Sequence, residues 1–261
     1  MEVGVPGKEL KVLCIIPARF KSKRFPGKPL AKINGIPMIK RTYAQANNCP
    51  ALTKVVVATE DKRIFDYCVS ESLNVVMTTD KCLTGTDRLA EVVIKPEYKN
   101  YDFYFNIQGD EPVIDTTTIN EIFNEYKKFG DKYIAYNLYK FIDDQSEINN
   151  KTIVKVIVNE NDELMYMSRL PIPYSNSAFP SLHKMQVPVY GYTAKALQIF
   201  SEHKKTINEK FEDVELLRFV DLGYKLKMLE TKATTIAVDV PDDIIKVEIY
   251  LNSQYLGSLV S

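Results

Sequence analysis

Residues 11–29 read KVLCIIPARFKSKRFPGKP, and the two halves of this stretch obey different physics. The opening KVLCIIP is an apolar run stopped by Pro17, the pattern of a short strand buried on both faces as in a parallel sheet. The remainder gathers Arg19, Lys21, Lys23, Arg24 and Lys28 around Gly27, with Pro26 and Pro29 restricting the backbone. A solvated basic turn has the same composition. The apolar strand directly before it favours a phosphate-binding loop, in which arginine offers a planar donor fork and Lys28 a compact positive charge. It is not a P-loop, because GxxxxGK[ST] is absent.

Outward from this point, apolar spacing predicts an alternation. Residues 37–47 place Met38, Ile39, Tyr43 and Ala46 on one helical face, with Pro37 suited to the first turn. KVVVAT (54–59) reads as a second buried strand, and Ile64, Phe65, Cys68 and Val69 as a helical stripe after Asp61. Residues 74–77 return to the sheet. Leu89, Ala90, Val92 and Val93 mark another helix, residues 101–107 a strand, and Ile119, Ile122, Phe123 and Tyr126 a covering helix. An α/β layered fold follows.

Beyond residue 131, YIAYNLY, TIVKVIV and ELMYMS read as strands without comparable helices between them. They predict a smaller β-rich lobe over 131–187, set into an α/β domain built from 10–130 and 188–261. Residues 176–184 lack periodicity and read as a loop. Phe211, Val214 and Leu217 suggest one helix, residues 226–230 a strand, and 236–240 a further strand before PDDIIKVEIYL, whose Pro241, Asp242 and Asp243 suit a first helical turn.

The composition excludes several function classes. With 261 residues, 45% hydrophobic and 26% charged, the chain can bury a substantial core without a disulfide or metal staple. Lys+Arg and Asp+Glu both number 34, so the zero formal charge speaks against a disordered chain and against a nucleic-acid binder. Cys14, Cys49, Cys68 and Cys82 form no CxxC pair, and His183 and His203 complete no zinc set with them. The N-terminal residues lack a basic segment followed by an apolar core, and no later stretch has the length of a spanning helix. A soluble, cytoplasmic protein with reduced cysteines and no membrane insertion is expected.

Two more segments carry chemistry. In CLTGTDRLAEVV, Thr86 or Asp87 can cap the following helix, and Gly85 permits close approach of a base or ribose. In NIQGDEP, Asp110 and Glu111 follow a strand directly. Acids at a strand end suit Mg²⁺ coordination, since hard oxygens bridge the cation to nucleotide phosphates, though turn capping or surface solvation also accounts for them. Asp239 is a distant partner that folding can bring close.

The order of these segments resembles the 3-deoxy-manno-octulosonate cytidylyltransferases, which activate an eight-carbon acidic sugar with CTP. IIPARFKSKRFPGKPLAKINGIPMI, VVVATED, TGTDRLAEV, NIQGDEP, YMSRLPIPY, VPVYGY and AVDVPDD carry the resemblance, from about residue 12 to residue 249. It implies a nucleotidyltransferase-type, Rossmann-like layered fold with a smaller β-rich lobe, a homodimer, and a place in lipopolysaccharide biosynthesis. It implies CTP-phosphate contacts from Arg19, Arg24 and Lys28, nucleotide contacts from Ala18, Thr84, Gly85 and Gln108, and Mg²⁺ held by Asp110 and Asp239. Arg19, Lys28, Asp110 and Asp239 are then the catalytic set. Arg169, Gln186, Tyr190, Glu215 and Arg218 fall toward the acidic sugar.

The sugar side departs from the family pattern. Gln186 stands where a His usually opens the H-x-G-I-Y-G/A-Y segment, Thr193 where an Arg is common, and Leu216 replaces Gln in E-Q-L-R; the P-S-x-L-E approach is absent. His183 reaches the His position only after an alignment shift and otherwise reads as a loop residue. These changes motivate a second enzyme reading, a cytidylyltransferase for a modified or amino-substituted sugar acid. A non-enzymatic reading is a nucleotide-binding regulatory module.

Overall fold

The computed structural model describes residues 9–22, 24–174 and 182–258, with side chains as far as residue 254. The expectations for Lys23 and for residues 176–181 of the loop lie outside the described residues. The first half alternates: β1 (Val12–Pro17), a small hairpin of β2 (Lys32–Ile33) and β3 (Ile36–Pro37), α1 (Met38–Asn47), β4 (Lys54–Thr59), α2 (Lys62–Ser70), β5 (Val75–Met77), α3 (Gly85–Val93), β6 (Phe103–Ile107) and α4 (Thr116–Phe129). Then come β7 (Ala135–Phe141), α5 (Gln145–Ile148), β8 (Lys155–Val158), β9 (Leu164–Ser168) and β10 (Lys184–Thr193). The chain closes with α6 (Ala194–Glu202), α7 (Ile207–Glu212), α8 (Leu217–Asp221), β11 (Leu226–Glu230) and α9 (Asp243–Ser258).

β1 pairs in parallel with β4 and β6, and β4 with β5. Across β6 the pattern changes: β10 runs antiparallel to both β6 and β7, while β11 is parallel to β7. The spatial order is β11-β7-β10-β6-β1-β4-β5, with β8 joined to β10 and β9. The unbroken apolar run of β1 has a direct cause. Leu13 and Ile15 pack on one face with Val56, Ala58 and Tyr104, while Val12, Cys14 and Ile16 pack on the other with Val55, Val57 and Phe105. Parallel β1, β4 and β6 all finish at one edge of the sheet, so the loops beginning at Ala18, Glu60 and Gln108 converge there. Such an edge is where open α/β sheets bind ligands.

Three sequence expectations change. The 131–187 lobe is not separate from the sheet, because β7 lies within the main path and only β8 and β9 stand off it. The single helix through Phe211 and Leu217 is two short helices, broken at Asp213, whose φ of 51° is left-handed; Phe211 is 82% exposed instead of packed. Residues 236–240 form no ladder, although Val238 N–H donates to the Asp110 carbonyl at 3.0 Å. That one bond ties the VDVPDD segment to the turn after β6.

Candidate active site

A cavity of about 1120 Å³ opens at this edge of the sheet. Ala18, Arg19, Arg24 and Lys28 reach it from the first loop, Thr84 and Gly85 from the start of α3, Gln108 and Asp110 from the end of β6, and Asp239 from the segment before α9. Four segments far apart in sequence therefore share one cavity.

The first loop is held by its own turn. Gly27 adopts a left-handed φ of 73° and donates its N–H to the Phe20 carbonyl at 2.9 Å. A Cβ at Gly27 would lie 3.0 Å from the Phe20 ring. Arg63 covers that ring from the first turn of α2, its guanidinium 3.3 Å from the ring centroid, while Asp61 accepts from it at 2.9 and 2.7 Å. The Ala18 N–H is already donated to Ala58 O at 2.9 Å, so its carbonyl is what the backbone offers a ligand.

At the second wall, Thr84 and Asp87 form a reciprocal capping box on α3, with Thr84 as the cap. A Cβ at Gly85 would sit 3.3 Å from Gln108 Nε2, so the bare backbone lets α3 meet β6 closely. Gln108 in turn donates to Asn106 Oδ1 at 3.3 Å.

The charged groups form crossed pairs. Lys28 Nζ donates to Asp110 Oδ2 at 2.6 Å and to the Val238 carbonyl at 2.8 Å, while Arg24 pairs with Asp239 at 2.8 Å. Behind them Glu111 is 1% exposed, and one carboxyl oxygen has no hydrogen-bond partner among the described residues. Burial, reinforced by Asp110, pushes its carboxyl well above the usual range, with Lys28 acting in the opposite sense. Among the described residues no group of three or more His, Cys, Asp or Glu side chains is arranged to hold a metal. Of the carboxylates lining the cavity, Asp110 and Asp239 are the two that pair with the basic loop. That donor set fits Mg²⁺, which takes one or two carboxylates and fills its remaining positions with water and phosphate oxygen.

A smaller pocket of about 120 Å³ is lined by Arg169, Gln186, Tyr190 and Glu215 together with Val154, Asp213, Val214 and Leu216. Asp213 and Glu215 also line the large cavity, so the two spaces share a wall. Arg169 is clamped by carbonyls: its guanidinium donates to Glu212 O at 2.7 Å and to Lys151 O and Asp213 O at 3.1 Å. Glu215 accepts the Thr86 N–H at 2.9 Å, linking this wall to α3. Burial raises its pKa, with the Thr86 hydrogen bonds opposing.

Arg218 is not brought to either cavity. It is 2% exposed and forms a two-pronged pair with Glu209, both bonds 2.6 Å, while also donating to the Phe200 and His203 carbonyls. Its donors are spent inside the core. His183 is buried and lines neither space, and His203 Nδ1 meets Ile199 O at 2.9 Å at the end of α6. Sequence reasoning missed Phe20, Arg63, Cys82, Leu83, Arg88 and Asp213 in the large cavity. The one available signal was position: Arg63 closely follows a strand predicted to end at the ligand edge.

A family model described as cytidylyltransferase matches residues 13–229. The chain belongs to the cytidylyltransferase family. Among relatives of this cytidylyltransferase, the 3-deoxy-manno-octulosonate cytidylyltransferase of Protochlamydia amoebophila is 36% identical over 251 residues, covering 94% of this chain and 95% of that one. The 8-amino-3,8-dideoxy-manno-octulosonate cytidylyltransferase of Shewanella baltica is 35% identical over 239 residues, covering 92% and 98%. The solved CMP:2-keto-3-deoxy-manno-octonic acid synthetase complexed with CTP superposes with a TM-score of 0.87 at 33% identity, covering 94% of this cytidylyltransferase and 99% of that chain. The α/β nucleotidyltransferase fold expected from the motifs is borne out, as is an enzyme that uses CTP. No helix among the described residues of the cytidylyltransferase is long and apolar enough to cross a membrane.

Proposed function

We propose that the protein transfers CMP from CTP to 3-deoxy-manno-octulosonate, releasing pyrophosphate. The observation that carries this reading is the shared Asp213 and Glu215 wall, which sets a pocket bearing Arg169 beside a nucleotide-sized cavity with basic and acidic rims. A sugar hydroxyl attacks the α-phosphorus in line. Arg19, Arg24 and Lys28 offset charge on the phosphates and on the departing pyrophosphate. Asp110 and Asp239 would hold Mg²⁺, which when bound supplies Lewis-acid neutralisation of the phosphates. Gly85 and Gln108 border the nucleoside, and Arg169, Gln186 and Tyr190 border the sugar acid.

A second acceptor, the 8-amino sugar acid, is favoured by Gln186 and Leu216 and by the name of the Shewanella relative. CTP- and Mg²⁺-dependent pyrophosphate release with both sugars, with product mass, decides between them; folded protein giving no CMP-sugar with either acid overturns the activity. The same reading makes the enzyme a cytoplasmic homodimer feeding lipopolysaccharide synthesis. Sedimentation at several concentrations tests the dimer, and a concentration-independent monomer removes it.

A further inference from the structure

Lys155, the first residue of β8, is fully buried. Its ammonium has no acidic partner within ion-pair reach among the described residues. It donates instead to three backbone carbonyls: Asn150 at 2.6 Å, Ile153 at 2.9 Å and Arg169 at 3.3 Å. A lysine enclosed this completely is ordinarily neutralised by a carboxylate, because carbonyl dipoles solvate a cation without cancelling its charge. Burial, and then repulsion from Arg169, lower its pKa.

The three acceptors are not scattered. Two belong to the turn leading to Val154, which lines the small pocket, and the third is the main chain of Arg169, which lines it too. Arg169 repeats the pattern, since its own guanidinium grips carbonyls of Lys151, Glu212 and Asp213. Together the two cations fasten the 150–153 turn, the end of β9 and the 212–213 turn into one unit. Gln186 joins it by donating its N–H to Val154 O at 2.9 Å. Arg169 also lies 3.9 Å from the Asp213 carboxylate, whereas Lys155 has carbonyls alone, so the charge left uncompensated beneath the pocket of about 120 Å³ is that of Lys155. An anion entering there offsets it.

We infer that Lys155 is a positioning residue for the carboxylate of the sugar acid: it fixes the Arg169 main chain and supplies a second, buried positive charge under the acid-binding pocket. This rests on the proposed reading that Arg169 faces the sugar acid. Discrimination between the acid and a neutral form of the same sugar therefore depends on a residue that the ligand does not touch.

The test is steady-state kinetics of the full chain with CTP, Mg²⁺ and either 3-deoxy-manno-octulosonate or its methyl ester. Lys155→Met keeps the apolar stem and removes the charge. It is expected to raise KM for the acid about tenfold or more while KM for the ester and for CTP stay within about twofold, as for loss of a charge-assisted interaction. A purely structural lysine would shift acid and ester alike, and that result, or no shift at all, overturns the inference. If Lys155→Met does not fold, Lys155→Gln, which retains donors for the carbonyls without the charge, carries the same comparison. Arg169→Gln separates the layers. If it leaves KM for the acid unchanged, the reading of the pocket fails; if it raises that KM and Lys155→Met does not, only the role of Lys155 fails.

Discussion

Lys28 and Asp110, which are 82 residues apart in sequence, meet at 2.6 Å, and Arg24 meets Asp239 at 2.8 Å in the same manner. In each pair a group expected to hold phosphate is engaged with a group expected to hold Mg²⁺. If these groups hold phosphate and Mg²⁺ as proposed, each ligand must displace an existing ion pair and frees the side chain that the other needs, so nucleotide and metal binding would be coupled through these partners.

Asp110→Asn separates the two roles. Without its carboxylate, Lys28 is released toward the phosphates, so the variant should bind CTP at least as tightly as wild type in the absence of Mg²⁺. It should lose the tightening that Mg²⁺ brings to wild type and lose turnover by about two orders of magnitude or more, the scale on which removal of one electrostatic stabiliser acts. Calorimetric titration with and without Mg²⁺ reads the first effect, pyrophosphate release the second. Wild-type Mg²⁺ coupling and activity in the folded variant would remove Asp110 from the metal.

Arg218 and Glu209, 3% and 1% exposed at their side chains, form a pair that is structural. Arg218→Ala leaves a buried carboxylate uncompensated and should destabilise the fold by about 3–5 kcal/mol, whereas the double variant Arg218→Met, Glu209→Leu should recover most of that loss. Urea unfolding measures both. If Arg218→Ala kept its stability and instead raised KM for the sugar acid, the residue would return to the substrate wall.

The legible part of the chain was the part whose reason is local. The strands of VLCIIP and KVVVAT are buried on both faces, so their apolar runs needed no tertiary information. The loop basics, Gln108, Asp110 and Asp239 were legible as motifs in order, although the Val238 N–H bond to Asp110 O and the Lys28 ammonium bridging the two segments are what explain how the last two meet. Arg218 was assigned to the sugar by resemblance to an E-Q-L-R pattern, which does not reveal that Glu209 waits on a neighbouring helix. Asp213 carries no sequence sign of its left-handed backbone, which splits a predicted helix and turns the chain toward the pocket. The stacking of Arg63 on Phe20 joins the start of α2 to the first loop, a proximity that the parallel pairing of β1 and β4 creates.

Gly191 is a point of close packing in the core. It lies on β10 between Tyr190 and Tyr192, where an added Cβ would be 2.5 Å from the Phe103 ring and 2.7 Å from Ile122 Cγ2. Both neighbours are fully buried, so neither has open space to move into. Gly191→Ala should destabilise the protein by about 1–3 kcal/mol, the range for overpacking a filled core. An unchanged urea midpoint would show that α4 and β6 yield more easily than their burial implies.

Glu215 ties the pH dependence of stability to the wall between the two cavities. Its pKa is raised from the usual 4.5, by burial first, so the folded protein retains its proton over a range in which the unfolded chain has released it. With more protons bound folded than unfolded, stability falls as pH rises. The fall begins near the unfolded value and is complete once pH has passed the folded one. Glu215→Gln keeps an oxygen for the Thr86 N–H and removes the titration. Thermal unfolding of both proteins without ligand, from about pH 4.5 to pH 8, should therefore show the Gln variant gaining on wild type as pH rises, by about 1.4 kcal/mol for each unit by which the folded pKa exceeds the unfolded one. A gap that stays constant with pH would mean that Glu215 ionises as freely in the folded protein as in the unfolded chain, and that the shared wall is wetter than its burial indicates.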